Sequence, residues 1–250
     1  MVSAFSFCLY GPENPRYYNG LLENLVIIQR HYPTWRVYIY IGNDVPAPFV
    51  ERLRRAPQVI LRETGVVGHK NSVYRFFAIN EPNVDVVFFR DADSRVHWKD
   101  RWAINDFLQS GRGVHIIRDH PMHCTEILAG LWGLRKGVLP FSLQAEFESW
   151  TPIHAGSGDP NIPGEFGIDQ NFLVKRIYSL VRERALVHHS NGRVLDEEDG
   201  REFPFAWADE IYCGRVESGY LLTGNDVEHR KTPLSQTLFH SLPKARVKLS

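Results

Sequence analysis

The sequence predicts an α/β protein with a mostly parallel central sheet flanked by helices. Two observations carry that expectation. Short β-branched and aromatic runs alternate with segments of helical period along most of the chain. One run, Val84-Asp85-Val86-Val87-Phe88-Phe89, is almost wholly apolar and reads as a strand covered on both faces. In order, strands are expected at Ala4–Tyr10, Val37–Ile41, Val59–Leu61, Val84–Phe89, Val114–Ile117 and Leu131–Leu134. Helices are expected at Tyr18–Arg30, where Leu21, Leu22, Leu25, Val26 and Ile28 recur at helical spacing, and at Ala47–Arg55, Lys70–Asn80, Trp98–Gln109 and Asp169–Tyr178. Gly11-Pro12, Asn14-Pro15, Gly42-Asn43-Asp44 and Pro82 punctuate the joins. The stretch Trp150–Gly167 reads as loop, and the pattern weakens after Tyr178.

Composition bounds the rest. With 43% hydrophobic residues among 250, the chain buries a full core. Residues 1–224 read as one domain and 225–250 as a polar, peripheral tail. Lys+Arg and Asp+Glu are 29 each, so the net charge is zero. That balance gives no surplus for gripping a nucleic acid backbone, and no polybasic run suggests a membrane surface. The apolar runs fall far short of the ~20 residues of a membrane helix. The N-terminus reads as a strand rather than a signal peptide, and three scattered cysteines suit a reducing compartment. A soluble, cytoplasmic protein is expected.

The sharpest feature is Arg90-Asp91-Ala92-Asp93-Ser94, directly after the apolar strand. Ligands of open α/β sheets bind beyond the carboxyl ends of strands. Two acids at i and i+2 leaving a strand can lean toward one divalent cation, and oxygen ligands favour Mg²⁺ or Mn²⁺, ions that bridge diphosphate oxygens. The plain alternative is a solvated acidic turn. Lys70, Arg75 and Arg90 are the nearby basic residues that can offset a diphosphate, or else form ordinary ion pairs. Tyr17 or Tyr18 can stack on a base, the other being core. No Gly-x-Gly-x-x-Gly occurs, so the dinucleotide fingerprint is absent.

The hydrophobic strand followed by Asp-x-Asp resembles the GT-A glycosyltransferases, a Rossmann-like fold that uses nucleotide-diphosphate sugars with a metal. More narrowly, an ordered set of stretches is similar to small Asp-x-Asp glycosyltransferases of large DNA viruses and bacteria. The set is Leu9-Tyr10-Gly11, Tyr18-Asn19-Gly20-Leu21-Leu22-Glu23-Asn24, Tyr32-Pro33-Thr34-Trp35, Arg90-Asp91-Ala92-Asp93-Ser94-Arg95, His115-Ile116-Ile117-Arg118-Asp119-His120-Pro121 and Ala129-Gly130-Leu131-Trp132-Gly133. Asp100-Arg101 stands where that group carries Arg-Glu. A looser likeness to glycogenin-like retaining enzymes adds Asp169-Gln170 and a late histidine, His188 or His189.

The resemblance implies a donor side at Leu9, Tyr10, Gly11, Tyr17, Lys70, Arg75, Arg90, Asp91 and Ala92. It implies metal ligands Asp91, Asp93 and His188, with Mn²⁺ or Mg²⁺ as cofactor. Asp119, Asp169 and Gln170 are the implied catalytic groups, Asp169 having a helix cap as its alternative role. His120, Gly130 and Trp132 are implied to face the acceptor, although a strand Trp is also a natural core residue. The implied partners are a nucleotide-diphosphate sugar, UDP-linked by preference, and a glycan or other hydroxyl acceptor, with retention favoured. The rivals are a metal-dependent phosphohydrolase or nucleotidyltransferase sharing the Asp-x-Asp, and an inactive sugar-nucleotide-binding module.

Overall fold

The computed structural model describes residues 1–155, 167–190, 192–205 and 212–216. The chain divides into two units, Met1–Ser218 and Gly219–Ser250, and every described residue belongs to the first. The expected tail 225–250 lies outside the described residues.

Eight strands form one sheet in the order β3-β2-β1-β4-β6-β5-β7-β8. They are β1 Ser3–Leu9, β2 Arg36–Ile41, β3 Val59–Glu63, β4 Val86–Arg90, β5 Val114–Arg118, β6 Leu131–Arg135, β7 Ala185–His189 and β8 Asp199–Glu202. All neighbouring pairs are parallel except those of β6, which runs antiparallel to both β4 and β5. The chain returns from β5 to β6 without a crossover helix, and such a return gives an antiparallel strand. The fold is thus α/β with a mostly parallel sheet flanked by helices, as the sequence predicts.

Both faces are covered, which explains the nearly continuous apolar strands. On one face Phe5, Phe7, Phe88, Val37 and Ile39 pack with Tyr18, Leu21 and Ile28 of α1 (Pro15–His31), Leu53 of α2 (Ala47–Arg54), and Ile104 and Phe107 of α3 (Trp98–Ser110). On the other, Phe89, Trp132, Ile116 and Tyr38 pack with the 3-10 helix Gly68–Asn80, Phe147 of α4 (Leu143–Ala155), and the helical run from α5 (Ile168–Phe172) through a π turn (Leu173–Ile177) to α6 (Tyr178–Val181).

Four elements differ from the sequence-based expectation. The segment Lys70–Asn80 is helical but wound as a 3-10 helix, and the Arg75 carbonyl accepts from Ser6 Oγ at 2.7 Å. It is buried on nearly all sides, so it lacks the one-faced stripe of a surface α-helix. The supposed loop from Trp150 begins inside α4; residues 156–166 of it lie outside the described residues. Strands β7 and β8 went unforeseen. Ala185-Leu186-Val187-His188-His189 is too short to separate from a helix end, and Asp199-Gly200-Arg201-Glu202 has no strand character. No helix among the described residues is long and apolar enough to cross a membrane.

Strand order locates the site. From β1 the chain moves outward to β2 and β3, then returns to β4 on the other flank of β1. The carboxyl ends of β1 and β4 therefore border a switch-point crevice, where open α/β sheets bind ligands.

Candidate active site

Asp91 leaves β4 at that crevice with its side chain 46% exposed. Its Oδ1 accepts from Arg75 Nη1 at 2.6 Å, while Arg75 Nη2 donates to Asp169 Oδ2, also at 2.6 Å. Arg75 itself is buried, and its Nε has no partner among the described residues. Burial pulls the Arg75 guanidinium toward neutrality, but Asp91, Cys8 and Asp169 outweigh it and the net displacement is upward. One fixed cation thus joins the acidic loop to the first turn of α5 through two charge-assisted hydrogen bonds. Asp169 sits in that first turn, but the sequence-level alternative of a plain helix cap fails: no side chain caps α5.

Asp93 points the same way from a more buried position. Arg16, in the first turn of α1, places Nε and Nη2 at 2.7 and 2.6 Å from Asp93 Oδ2. Burial, and then Asp91, push the Asp93 carboxyl up, with Arg16 opposing them. Asp91, Asp93 and Asp169 against Arg16 and Arg75 leave one negative charge uncompensated, a field that attracts a cation.

The acidic loop is clamped from two sides. Across α1, Asn24 Nδ2 donates to the Ser94 carbonyl at 2.7 Å, its Oδ1 accepts from Val96 N at 3.0 Å, and Glu23 pairs with Arg95 at 2.6 Å. Gly20 lets α1 approach so closely that an added Cβ would stand 2.2 Å from the Ala92 carbonyl oxygen. From β6, Gly130 lies against Asp91, and a Cβ there would stand 2.0 Å from Oδ2. Gln170 fixes that approach: its Oε1 accepts from Ala129 N at 3.0 Å and its Nε2 donates to the Ile127 carbonyl at 2.5 Å.

Above these groups is a cavity of about 260 Å³ bordered by Cys8, Leu9, Tyr10, Tyr17, His69, Arg75 and Asp91-Ala92-Asp93. Tyr18 is the core tyrosine, its hydroxyl donating to the Gly11 carbonyl, while Tyr17 is 40% exposed. Gly11 turns the chain there at φ 79°, a backbone that glycine adopts without strain. The Tyr10 hydroxyl and His69 Nδ1 are 3.1 Å apart. Burial raises the Cys8 thiol to about 12, so without a metal it is neutral at physiological pH.

Several expected site residues are placed elsewhere. Arg90 is fully buried, forked onto Asp100 at 3.0 and 2.8 Å and donating to the Phe89 and Trp132 carbonyls, so it has no nitrogen left for a phosphate of the donor. Trp132 is core, 4.4 Å from Phe89 and 5.3 Å from Phe76 between ring centroids. Asp119 is fully buried: Oδ1 accepts from Lys99 Nζ at 2.6 Å and from Ser190 Oγ, and Oδ2 from Cys213 N at 2.9 Å. A general base needs a free oxygen within reach of its proton, and Asp119 has none. His188 has both ring nitrogens engaged, Nδ1 with His115 at 2.9 Å and Nε2 with Asp106 at 2.9 Å, on the α3 side of the sheet. His189 Nδ1 accepts from Gly192 N. Among the described residues no cluster of three His, Cys, Asp or Glu could hold a metal ion. His120 packs against Tyr212 at 4.2 Å and does not border the cavity, nor does Lys70.

Sequence reasoning missed Arg16, His69 and the clamp formed by Glu23 and Asn24. Glu23 and Asn24 lie within a stretch already singled out, so a polar pair on the buried face of an amphipathic helix was the available signal. Arg16 gave none beyond following Asn14-Pro15.

No protein-family model and no curated protein matches the chain. Among solved structures, it is similar to S. aureus TarS 1-349 in complex with UDP-GlcNAc, with 17% identity over 48% of this chain and 35% of that one and a TM-score of 0.38. Uncomplexed TarS 1-349 gives 15% identity over 56% and 48% and a TM-score of 0.43. The mannosyltransferase PcManGT from Pyrobaculum calidifontis, in complex with GDP-Man and Mn²⁺, gives 15% over 55% and 45% with a TM-score of 0.42. The chain spans less than half the length of each of these proteins.

Proposed function

We propose that the chain is a metal-dependent glycosyltransferase, moving a sugar from a nucleotide-diphosphate sugar, UDP-linked by preference, to a hydroxyl acceptor. At TM-scores of 0.37 to 0.43 the solved structures carry no weight in this, and the reading rests on the site. The observation behind it is the Asp91/Asp93 pair at the β1–β4 crevice, bracketed by Arg16 and Arg75 over a cavity with an exposed tyrosine.

The donor set fits Mn²⁺ or Mg²⁺. Asp91 Oδ2 makes no hydrogen bond among the described residues, and the missing side chain of Gly130 leaves the room that this oxygen occupies. Two carboxylates and no histidine make an incomplete protein cage, the arrangement that such ions take when substrate phosphates supply further oxygens. Bound at Asp91 and Asp93, the ion would supply Lewis-acid stabilisation of charge on the departing diphosphate.

The chain's own residues do the rest. Arg75 holds Asp91 in place, and Arg16 is the cation within reach of phosphate oxygens. Tyr17 offers a ring face for the base, and Leu9 and Tyr10 at the end of β1 border the same cavity, with Gly11 turning the chain after them. Of the two carboxylates expected to be catalytic, Asp169 is the one tied to the acid pair, through Arg75, although it does not itself border the cavity. Gln170 sets the position of the Ala129–Gly130 wall.

The test is release of nucleoside diphosphate from UDP- and GDP-sugars in the presence of Mn²⁺ and an acceptor mixture. Release that chelation abolishes and Asp93→Asn removes is the expected result. Release of inorganic phosphate from phosphate esters, with the sugar nucleotides untouched, would overturn the reading.

A further inference from the structure

The arginines around the acidic loop differ in how they are held. Arg75, Arg90 and Arg95 are all buried, and each is fixed by an ion pair inside the fold. Arg16 is 46% exposed, and its hydrogen-bonding nitrogens both close on the single oxygen Asp93 Oδ2. Its Nη1 has no partner among the described residues, and beyond Asp93 its guanidinium meets only the Tyr17 ring at 5.3 Å. Tyr17 and Asp93 both border the cavity, so Arg16, in the first turn of α1, contacts two of its bordering residues.

We infer that Arg16 is an exchangeable counter-ion: it holds Asp93 while the site lacks metal, and passes to the diphosphate when metal and donor enter together. The inference rests on the donor site proposed above. A half-exposed ion pair is worth little and exchanges readily, whereas a buried carboxylate left with no cation is costly. Releasing Arg16 therefore needs a replacement positive charge at Asp93, and the released fork finds a matching acceptor in phosphate oxygens. The consequence is coupling. Metal alone must displace Arg16 without offering it a new partner, so it binds weakly; metal with a diphosphate offers both at once.

The test uses Arg16→Gln and Arg16→Lys in the full chain, titrated with Mn²⁺ alone by the paramagnetic resonance of the free ion, and with UDP and GDP at saturating Mn²⁺ by calorimetry. Losing a competing surface charge should tighten Mn²⁺ binding by Arg16→Gln about three- to fivefold. Losing a charge-assisted contact should weaken diphosphate binding about tenfold or more. Arg16→Lys keeps the charge and should stay near the wild type for Mn²⁺ alone. Equal or weaker Mn²⁺ binding by Arg16→Gln overturns the counter-ion role, and unchanged diphosphate binding overturns the transfer to phosphate. If the wild type binds neither UDP nor GDP, the donor site itself falls, and the Mn²⁺-only titration still decides whether Arg16 competes for Asp93.

Discussion

Gly130 lies so close to Asp91 that a single added methyl group would overlap the carboxylate, with Cβ 2.0 Å from Oδ2 and 2.4 Å from Cγ. The β6 backbone thus forms one wall of the acidic site. Gly130→Ala must push Asp91 off Arg75 or shift β6. Overpacking of this kind costs about 1–3 kcal/mol, so the urea midpoint should fall. Mn²⁺-dependent nucleotide binding should fall by a larger factor than Gly133→Ala produces, because an added Cβ at Gly133 meets the Phe88 ring and not the acid pair.

Arg90 and Asp100 form a buried fork, each about 1% exposed. Removing one partner leaves the other charged and dry, so Asp100→Ala should destabilise the fold by about 3–5 kcal/mol. Urea unfolding reads that loss. Arg101, next along α3, is only partly buried and meets His31 at 2.8 Å on the surface, and Arg101→Ala should leave the midpoint within about 0.5 kcal/mol.

Asp119 should behave as a stability residue. Its carboxylate joins β5 to Lys99 on α3, to Ser190 after β7 and to the Cys213 amide. Asp119→Asn strands the Lys99 ammonium and should cost about 3 kcal/mol or more, lowering the unfolding midpoint. In whatever fraction remains folded, the affinity for nucleoside diphosphate and Mn²⁺ should match the wild type.

His188 sets a pH dependence of stability. Burial lowers its pKa from 6.5 to about 4, with the Asp106 hydrogen bond opposing, and its neighbour His115 is lowered well below 6.5 by burial and by His188. A histidine held below its free value takes up a proton more readily in the unfolded chain. Its contribution is therefore complete above about pH 6.5 and is lost as the pH falls toward about 4. For His188 alone the loss amounts to about 3 kcal/mol. Urea unfolding at pH 7 and pH 5 should show a lower midpoint at pH 5, and His188→Gln should flatten that slope.

The sequence made the sheet and the acid pair legible because both rest on local signals. An apolar strand runs into the acidic turn Asp91-Ala92-Asp93, and Ala129-Gly130 and Asp169-Gln170 proved to be its physical neighbours. What local pattern could not show was which charges the fold pairs with one another. Arg90 and Asp119 carry the right chemistry on the right strands, yet each is consumed by a partner ten or twenty residues away. His188 lies on β7, a strand too short to announce itself, and the strand register turns its ring toward α3. Arg16 comes from 77 positions before Asp93, a separation over which only tertiary structure speaks.

Calorimetric titration of UDP and GDP, with and without Mn²⁺, on the wild type and Asp93→Ala tests the central claim most directly. The account predicts that one nucleoside diphosphate binds with Mn²⁺, weakens at least tenfold without it, and is lost in the variant. Binding that is indifferent to both Mn²⁺ and Asp93, or no binding of either nucleotide by the folded wild type, would contradict it.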